Sequence, residues 1–311
     1  MKKYIDFVGN KKIFFGISIC IMIIGIVFNV IFGTQMSIQF TGGAVINYSY
    51  VGELDEENLK NLIQKETEKV VSTEINRNML PNAQKDSFIA SISFPGDNAI
   101  SLDQQKKLTE SLTTTYPDNK FEQLESSSVN PTMGKTFLLK CLIAVVMALV
   151  LMVVYVAFRF KNIGGWSAGV TAMVALIHDV IIIYFTFIVC KLPIDSNFVA
   201  VVLMILGYSL NDTIVIYDRV RENKKINPNS DMKTLVNDSI NQTLGRTINT
   251  SVTTAMAVAT VLVVALIYNL TSVVSFALPI LVGVISGCYS TISIAGPLWV
   301  AWKSKKTKKA A

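Results

Sequence analysis

The sequence predicts a polytopic α-helical membrane protein: six transmembrane helices with an extracytoplasmic ferredoxin-like α+β domain between the first and second. Three observations carry that expectation. Six apolar runs are each long enough to cross a bilayer, which takes about 20 residues. The chain is 51% hydrophobic and 16% charged, against roughly 25% charged residues in a soluble domain. Between the first two runs lies one long polar insert, residues 34–134, whose apolar positions follow strand and helix periods in turn.

The spans fall at 13–33, 135–158, 164–189, 197–217, 244–268 and 273–301. The first is too long for a cleavable signal and lacks a small-residue cleavage site, so it reads as an anchor. Lys and Arg set the orientation. Lys2, Lys3, Lys11 and Lys12 lie in or beside the N-terminal segment 1–12; Arg159 and Lys161 follow the second span. Arg219, Arg221, Lys224, Lys225 and Lys233 fall in the 218–243 connection, and five lysines lie in the tail 302–311. The short loops of the other side hold little beyond Lys191. The positive-inside rule puts both termini in the cytoplasm and 34–134 outside, across the cell membrane. The net charge of +6 is therefore no nucleic-acid footprint: the insert carries 8 basic and 14 acidic residues, and the remainder 20 and 8. The basic part faces anionic head groups of the lipid bilayer.

Within the insert, Ile46, Tyr48 and Tyr50 alternate with Asn47 and Ser49, as in a strand with one buried face. In 54–70, Leu59, Leu62 and Ile63 recur at helical spacing, with Asp55 near the start. Residues 70–76 and 87–94 read as strands around a polar turn containing Pro81 and Asn82. A second helix follows over 101–116, with Ser101 as N-cap and Leu108 and Leu112 on one face. NKFEQLES, 119–126, closes as a strand. The order β-α-β-β-α-β is that of a split βαβ module. At its entrance Thr41, Gly42 and Gly43 form a turn or a hinge, since paired glycines reach backbone conformations closed to other residues. At its exit SSSVNPTMGK, with Pro131 and Gly134, is a linker or a second hinge.

The chemistry-bearing residues lie in the spans. Asp212 sits in GYSLNDTIVIYDRVREN, 207–223, with apolar residues on both sides. An acid at the centre of a spanning helix costs roughly 2.5–3.5 kcal/mol on insertion scales. Asn211 beside it and Tyr208 a turn earlier are available to hydrogen-bond it; near the end of the span it could also reach water. Gln242, Arg246, Asn249, Thr250 and Thr253 recur at helical spacing and give the fifth span a polar stripe, which should face protein or water. Arg246 either pairs with the acid or extends to head groups. His178 and Asp179 form a further polar point in the third span, with His178 in a structural hydrogen bond or a proton relay. Gly283 and Gly287, followed by Ser290, permit close helix approach in the sixth span. The four cysteines lie in or beside apolar runs at spacings that fit no metal site, and no nucleotide loop or nucleophile motif argues for an enzyme.

These motifs carry a resemblance. IQFTGG (38–43), HDV (178–180), GYSLNDTIVIYDRVREN (207–223) and SINQTLGRTINTSVTT (239–254) occur in the order found in the SecF family, the smaller partner of the SecD–SecF pair of bacterial protein export. The chain departs from the family's usual pattern at Gln39, where an Asp is common, and at Asn130, where a Gly is common. The resemblance implies half of an RND-type fold, completed by six helices of SecD. It implies that the proton motive force drives late, ATP-independent translocation of a polypeptide through the SecYEG channel. Protons are then the coupling ion, with no other cofactor. A YajC-like subunit is a further partner. The family's intramembrane acid and arginine fall on Asp212 and Arg246. The competing expectations are a half-size small-molecule exporter and a non-transporting membrane scaffold.

Overall fold

The computed structural model describes residues 4–78, 87–96 and 100–310. Pro81 and Asn82 lie outside the described residues. Among those described, six helices are long and apolar enough to cross a membrane. They are α1 (Lys11–Phe32), α5 (Pro131–Arg159), α6 (Gly165–Val189), α7 (Ser196–Ile226), α8 (Met232–Ile267) and a sixth made of α9 (Thr271–Ser290), a π-helical turn (Thr291–Ala295) and α10 (Gly296–Ala310). Between α1 and α5 come the short α2 (Ile38–Thr41), β1 (Gly43–Val51), α3 (Glu56–Thr67), β2 (Ser72–Arg77), β3 (Ser87–Pro95), α4 (Leu102–Thr115) and β4 (Glu122–Val129).

The sheet is antiparallel with strand order β2-β3-β1-β4, the arrangement of a ferredoxin-like module. Its inner face presents Ile46, Tyr48, Tyr50, Ala90, Ile92 and Phe94 to Leu59 and Ile63 of α3 and to Leu108 and Leu112 of α4. Both helices begin where the sequence provides a cap. Asp55 accepts from the Glu57 amide, and Ser101 forms a reciprocal capping box with Gln104.

One expected boundary differs. The stretch 126–135 is not a linker: 126–129 end β4, and Pro131 opens α5 after Asn130, whose side chain caps the Thr132 amide at 2.9 Å. Proline is favoured at that first helical position because its missing N–H would have no helical partner anyway. The connection 218–243 is mostly helix, which leaves the span bounds as read. The α7 helix runs on to Ile226 and α8 begins at Met232, because charged side chains outside an apolar span continue a helix as readily as they end it.

The bundle is built around α6, α7 and α9. These pack on one another and carry most of the buried positions, while α1, α5 and α8 lie outside with large apolar surfaces exposed. Close approach depends on glycine. A side chain at Gly283 would meet Ile205, and one at Gly287 would meet Ser209. The G-x-x-x-G spacing thus serves the α7–α9 contact.

The α+β domain sits at the end of the bundle that carries the α6–α7 and α8–α9 loops. The Ser37 amide donates to the Ile194 carbonyl (3.0 Å) and the Ile194 amide to that of Gln35 (2.8 Å). On the other side, the Arg77 amide donates to the Asn269 carbonyl (3.1 Å), the Thr271 hydroxyl to that of Ile75 (2.5 Å), and the Ser272 amide to Asn76 Oδ1 (3.1 Å).

Candidate functional site

Asp212 lies on the α7 face turned toward α8 and α9. It is 3% exposed, and its Oδ2 has no hydrogen-bond partner. Arg246 on α8 is the cation within electrostatic reach, but no salt bridge joins the two among the described residues. The available neighbours are engaged elsewhere. Tyr208 donates to Ser251 on α8 at 3.2 Å, and the Cys288 thiol also reaches Ser251. Asn211 is exposed and makes no bond to Asp212; adjacent helical residues point about 100° apart, so sequence adjacency does not bring side chains together.

The polar stripe of α8 is turned outward. Gln242, Arg246 and Asn249 are exposed and Thr250 is half-buried. Gln242 is held by α7, accepting from Arg219 Nε (2.5 Å) and Asn223 Nδ2 (2.9 Å), so it stands apart from Asp212. The Thr250 hydroxyl donates back to the Arg246 carbonyl at 2.8 Å. A groove beside the stripe is lined by Tyr4, Asn241, Gln242, Gly245 and Asn249.

The second polar centre is larger than the sequence suggests. Asp179 is fully buried in α6 and accepts from three serines of two other helices: Ser209 of α7 (2.7 Å), and Ser286 (2.6 Å) and Ser290 (2.7 Å) of α9. His178 Nδ1 lies 3.2 Å from the same carboxylate, while its buried Nε2 has no partner. One turn on, the hydroxyls of Thr213 and Thr291 meet at 3.0 Å, and Thr291 donates to the Ser209 carbonyl. Ser209, Ser286 and Thr291 escape sequence reasoning because a serine or threonine in an apolar helix breaks no period. The signal that was available is Asp179 itself: a carboxylate deep in a span demands donors, and Ser286 and Ser290 stand four apart on the glycine face of α9.

The junction residues meet one another. Gly42 has φ +77°, and a Cβ there would lie 2.6 Å from the Pro131 nitrogen; Gly43 has φ +133° and abuts the Phe94 carbonyl. A Cβ at Gly134 would lie 2.8 Å from the Gly42 nitrogen. The Thr41 hydroxyl donates to the Ser37 carbonyl at 3.1 Å. Entrance and exit of the domain therefore form one close-packed knot.

Residues 107–305 match the model of the family described as protein export membrane protein SecD/SecF, C-terminal. The protein translocase subunit SecF of Alicyclobacillus acidocaldarius is 30% identical, over 100% of this chain and 96% of that protein. The chain belongs to the SecD/SecF family. The protein translocase subunit SecDF of Bacillus subtilis is 32% identical over 98% of this chain but only 39% of its own length. The solved structure of SecDF from Thermus thermophilus, described as a translocon-associated membrane protein, superposes with a TM-score of 0.77 at 29% identity, covering 97% of this chain and 39% of that one. This chain thus spans about two fifths of the SecDF proteins that it matches and nearly the whole of a SecF subunit. The two departures from the usual SecF pattern have local roles here: Gln39 Oε1 accepts the Ser196 amide at 3.1 Å, and Asn130 caps α5.

Proposed function

We propose that this chain is the SecF-type half of a proton-driven protein-export machine, acting with a SecD-type partner beside a SecYEG-type channel. The observation that carries the reading is Asp212: a buried carboxylate with an unpartnered oxygen, near a cation that does not close an ion pair on it. Burial and a neighbouring cation act in opposite senses on a carboxylate's hold on its proton, so a small helix displacement changes the occupancy. One elementary charge crossing 100 mV releases about 2.3 kcal/mol, enough to bias a two-state element.

The outward polar stripe supports a second half. Exposed Arg246 and Asn249 are costly against lipid and inexpensive against a protein or a hydrated interface. SecDF relatives carry a further three fifths of chain, which a SecD-type partner would supply here. In this reading the termini are cytoplasmic, the α+β domain is outside and engages the emerging polypeptide, and protons are the coupling ion. A YajC-like subunit joins the assembly, and no covalent catalysis or nucleotide is involved.

The test is Asp212→Asn, which keeps size and hydrogen bonding but removes titration. Partner assembly and insertion should be normal. Secretion of a reporter and proton flux in inverted vesicles should both be lost. A variant that assembles and retains full flux and secretion refutes the role of the carboxylate.

A further inference from the structure

Asp179 accepts three serine hydroxyls from two other helices, and its place in the bundle gives it a use different from the one proposed for Asp212. We propose that Asp179 is a positioning residue for Asp212: through Ser209, its carboxylate fixes the rotation and height of the α7 turn from which Asp212 faces α8. The inference rests on the proton-coupling reading above.

Geometry supports it from both ends. Ser209 and Asp212 are three residues apart, so they share a turn of α7 and differ in direction by about 60°. Ser209 points to α6 and α9, where it donates to Asp179 Oδ2. Tyr208, on the other flank of Asp212, points to α8 through Ser251. The turn is thus held on one side by Asp179, and Asp212 lies between the two attachments. The hold has little play. Gly287 brings α9 against Ser209, and Thr291 donates to the Ser209 carbonyl from the start of the π-helical turn. Remove the Asp179–Ser209 bond and this side of the turn is held by apolar packing and two threonine hydroxyls, while Tyr208 still ties the other side to Ser251.

The cage contains its own control. Ser286 donates to the other oxygen, Oδ1, from α9 and makes no bond to α7. Losing Ser286 leaves a buried acceptor short of one donor, as losing Ser209 does, but it does not release the turn that carries Asp212. Ser290 is a weaker control, because its hydroxyl also lies 3.2 Å from the Gly287 carbonyl and has a second acceptor.

The readout is the pH profile of proton flux through the assembled complex in inverted vesicles. The ionisable groups within electrostatic reach of Asp212 are Arg246 from α8 and Cys288 from α9, and Tyr208, a turn away on α7 itself, is bonded to Ser251. Asp179 and His178 on α6 reach it through Ser209. On α5, Arg159 is engaged with Asp218 further along. Each of these groups is retained in the serine variants. Ser209→Ala should move the midpoint by about half a pH unit or more, because the environment of Asp212 changes. Ser286→Ala should lower the melting temperature comparably and leave the midpoint in place. Asp179→Asn should also move it, and Asp179→Asn combined with Ser209→Ala should move it no further than the larger single change, as expected of two residues acting through one bond. If Asp179→Asn does not assemble, the comparison of Ser209→Ala with Ser286→Ala decides. The inference is overturned if Ser209→Ala leaves the midpoint unchanged, if Ser286→Ala moves it as far, or if the double variant is additive. If Asp212→Asn conducts protons at the full rate, the parent reading fails and Asp179 has nothing to position. If Asp212→Asn is dead and the serine variants are indistinguishable, this inference alone fails.

Discussion

Replacing Gly42 with alanine tests whether the domain is bound to the bundle without slack, and Gly33 supplies the reference. The two residues have nearly the same backbone conformation, φ 77° and ψ 175° at Gly42 against φ 70° and ψ 175° at Gly33. This is a region almost closed to residues with a side chain, and occupying it costs on the order of 1–3 kcal/mol. Their surroundings differ. A Cβ at Gly33 meets nothing within 4 Å, whereas one at Gly42 runs into the backbone of Pro131. Backbone cannot swing aside as a flexible side chain does, so Gly42→Ala carries an overpacking cost of about 1–3 kcal/mol in addition. The strain contributions cancel in the comparison and the steric one remains. The full chain is longer than the 150–250 residues for which about 2–4 °C per kcal/mol applies, so the shift is smaller; Gly42→Ala should melt a few degrees below Gly33→Ala in detergent, when unfolding of the full chain is followed by circular dichroism. Equal melting of the two variants would refute the close packing of entrance against exit.

The remaining predictions concern the domain. Residues 38–130 should fold alone with a cooperative melt, since their core is closed by their own side chains, and Ser101→Ala should cost that unit about 0.5–2 kcal/mol in urea denaturation through loss of the capping box. Glu74 lies within electrostatic reach of Asp195 at the end of the bundle; burial pushes its pKa up against the opposing Asn76 hydrogen bond, and the Asp195 and Glu56 charges add to the rise. A carboxylate whose pKa is raised on docking holds its proton more tightly when docked. Docking should therefore be strongest below the ordinary Glu value of about 4.3 and weaken as pH rises from there through the raised value. Glu74→Gln should resist proteolysis of the domain better than the parent at neutral pH, and the two should converge in acid.

How far the sequence reveals this molecule depends on the range of the interaction. Hydropathy locates the six spans because the bilayer imposes a length on each one separately. Period-two and helical alternation locate β1, β3, α3 and α4 because each buries one face against a common core. Asp55 and Ser101 are legible as caps for the same reason, as they act within their own turn. The Asp179 cage is not legible in this way. Its donors come from residues 209, 286 and 290, on helices whose contact is set by Gly283 and Gly287, and only the assembled bundle brings them to one carboxylate. Asn211 shows the converse: adjacent in sequence to Asp212, it points out of the bundle. Gln242 belongs to the same stripe as Arg246, yet the helical extension of α7 past residue 217 captures it through Arg219 and Asn223.

The helices that carry the polar centres also carry the domain's supports. Ser196, which opens α7, is bonded to Gln39, and Asp212 lies 16 residues further along, about 24 Å at 1.5 Å per residue. The α8–α9 loop, bonded to β2, joins the helix of Arg246 to the helix of Ser286 and Ser290. Over about 24 Å, a tilt of about 5° moves the far end of a straight helix by about 2 Å. The hydrogen bonds at the supports hold over a range of about half an ångström, from roughly 2.7 to 3.2 Å. A tilt of that size in α7 or α9 therefore leaves two outcomes: the domain follows, or a support opens. At the entrance nothing can stretch, since Asn130 alone separates β4 from α5 and Gly42 is closed against Pro131. A domain pinned there and displaced at β2 must turn about the knot. In the export cycle proposed above, the glycines at 42, 43 and 134 would then serve as the closely packed pivot of a lever whose arm runs to the α8–α9 loop.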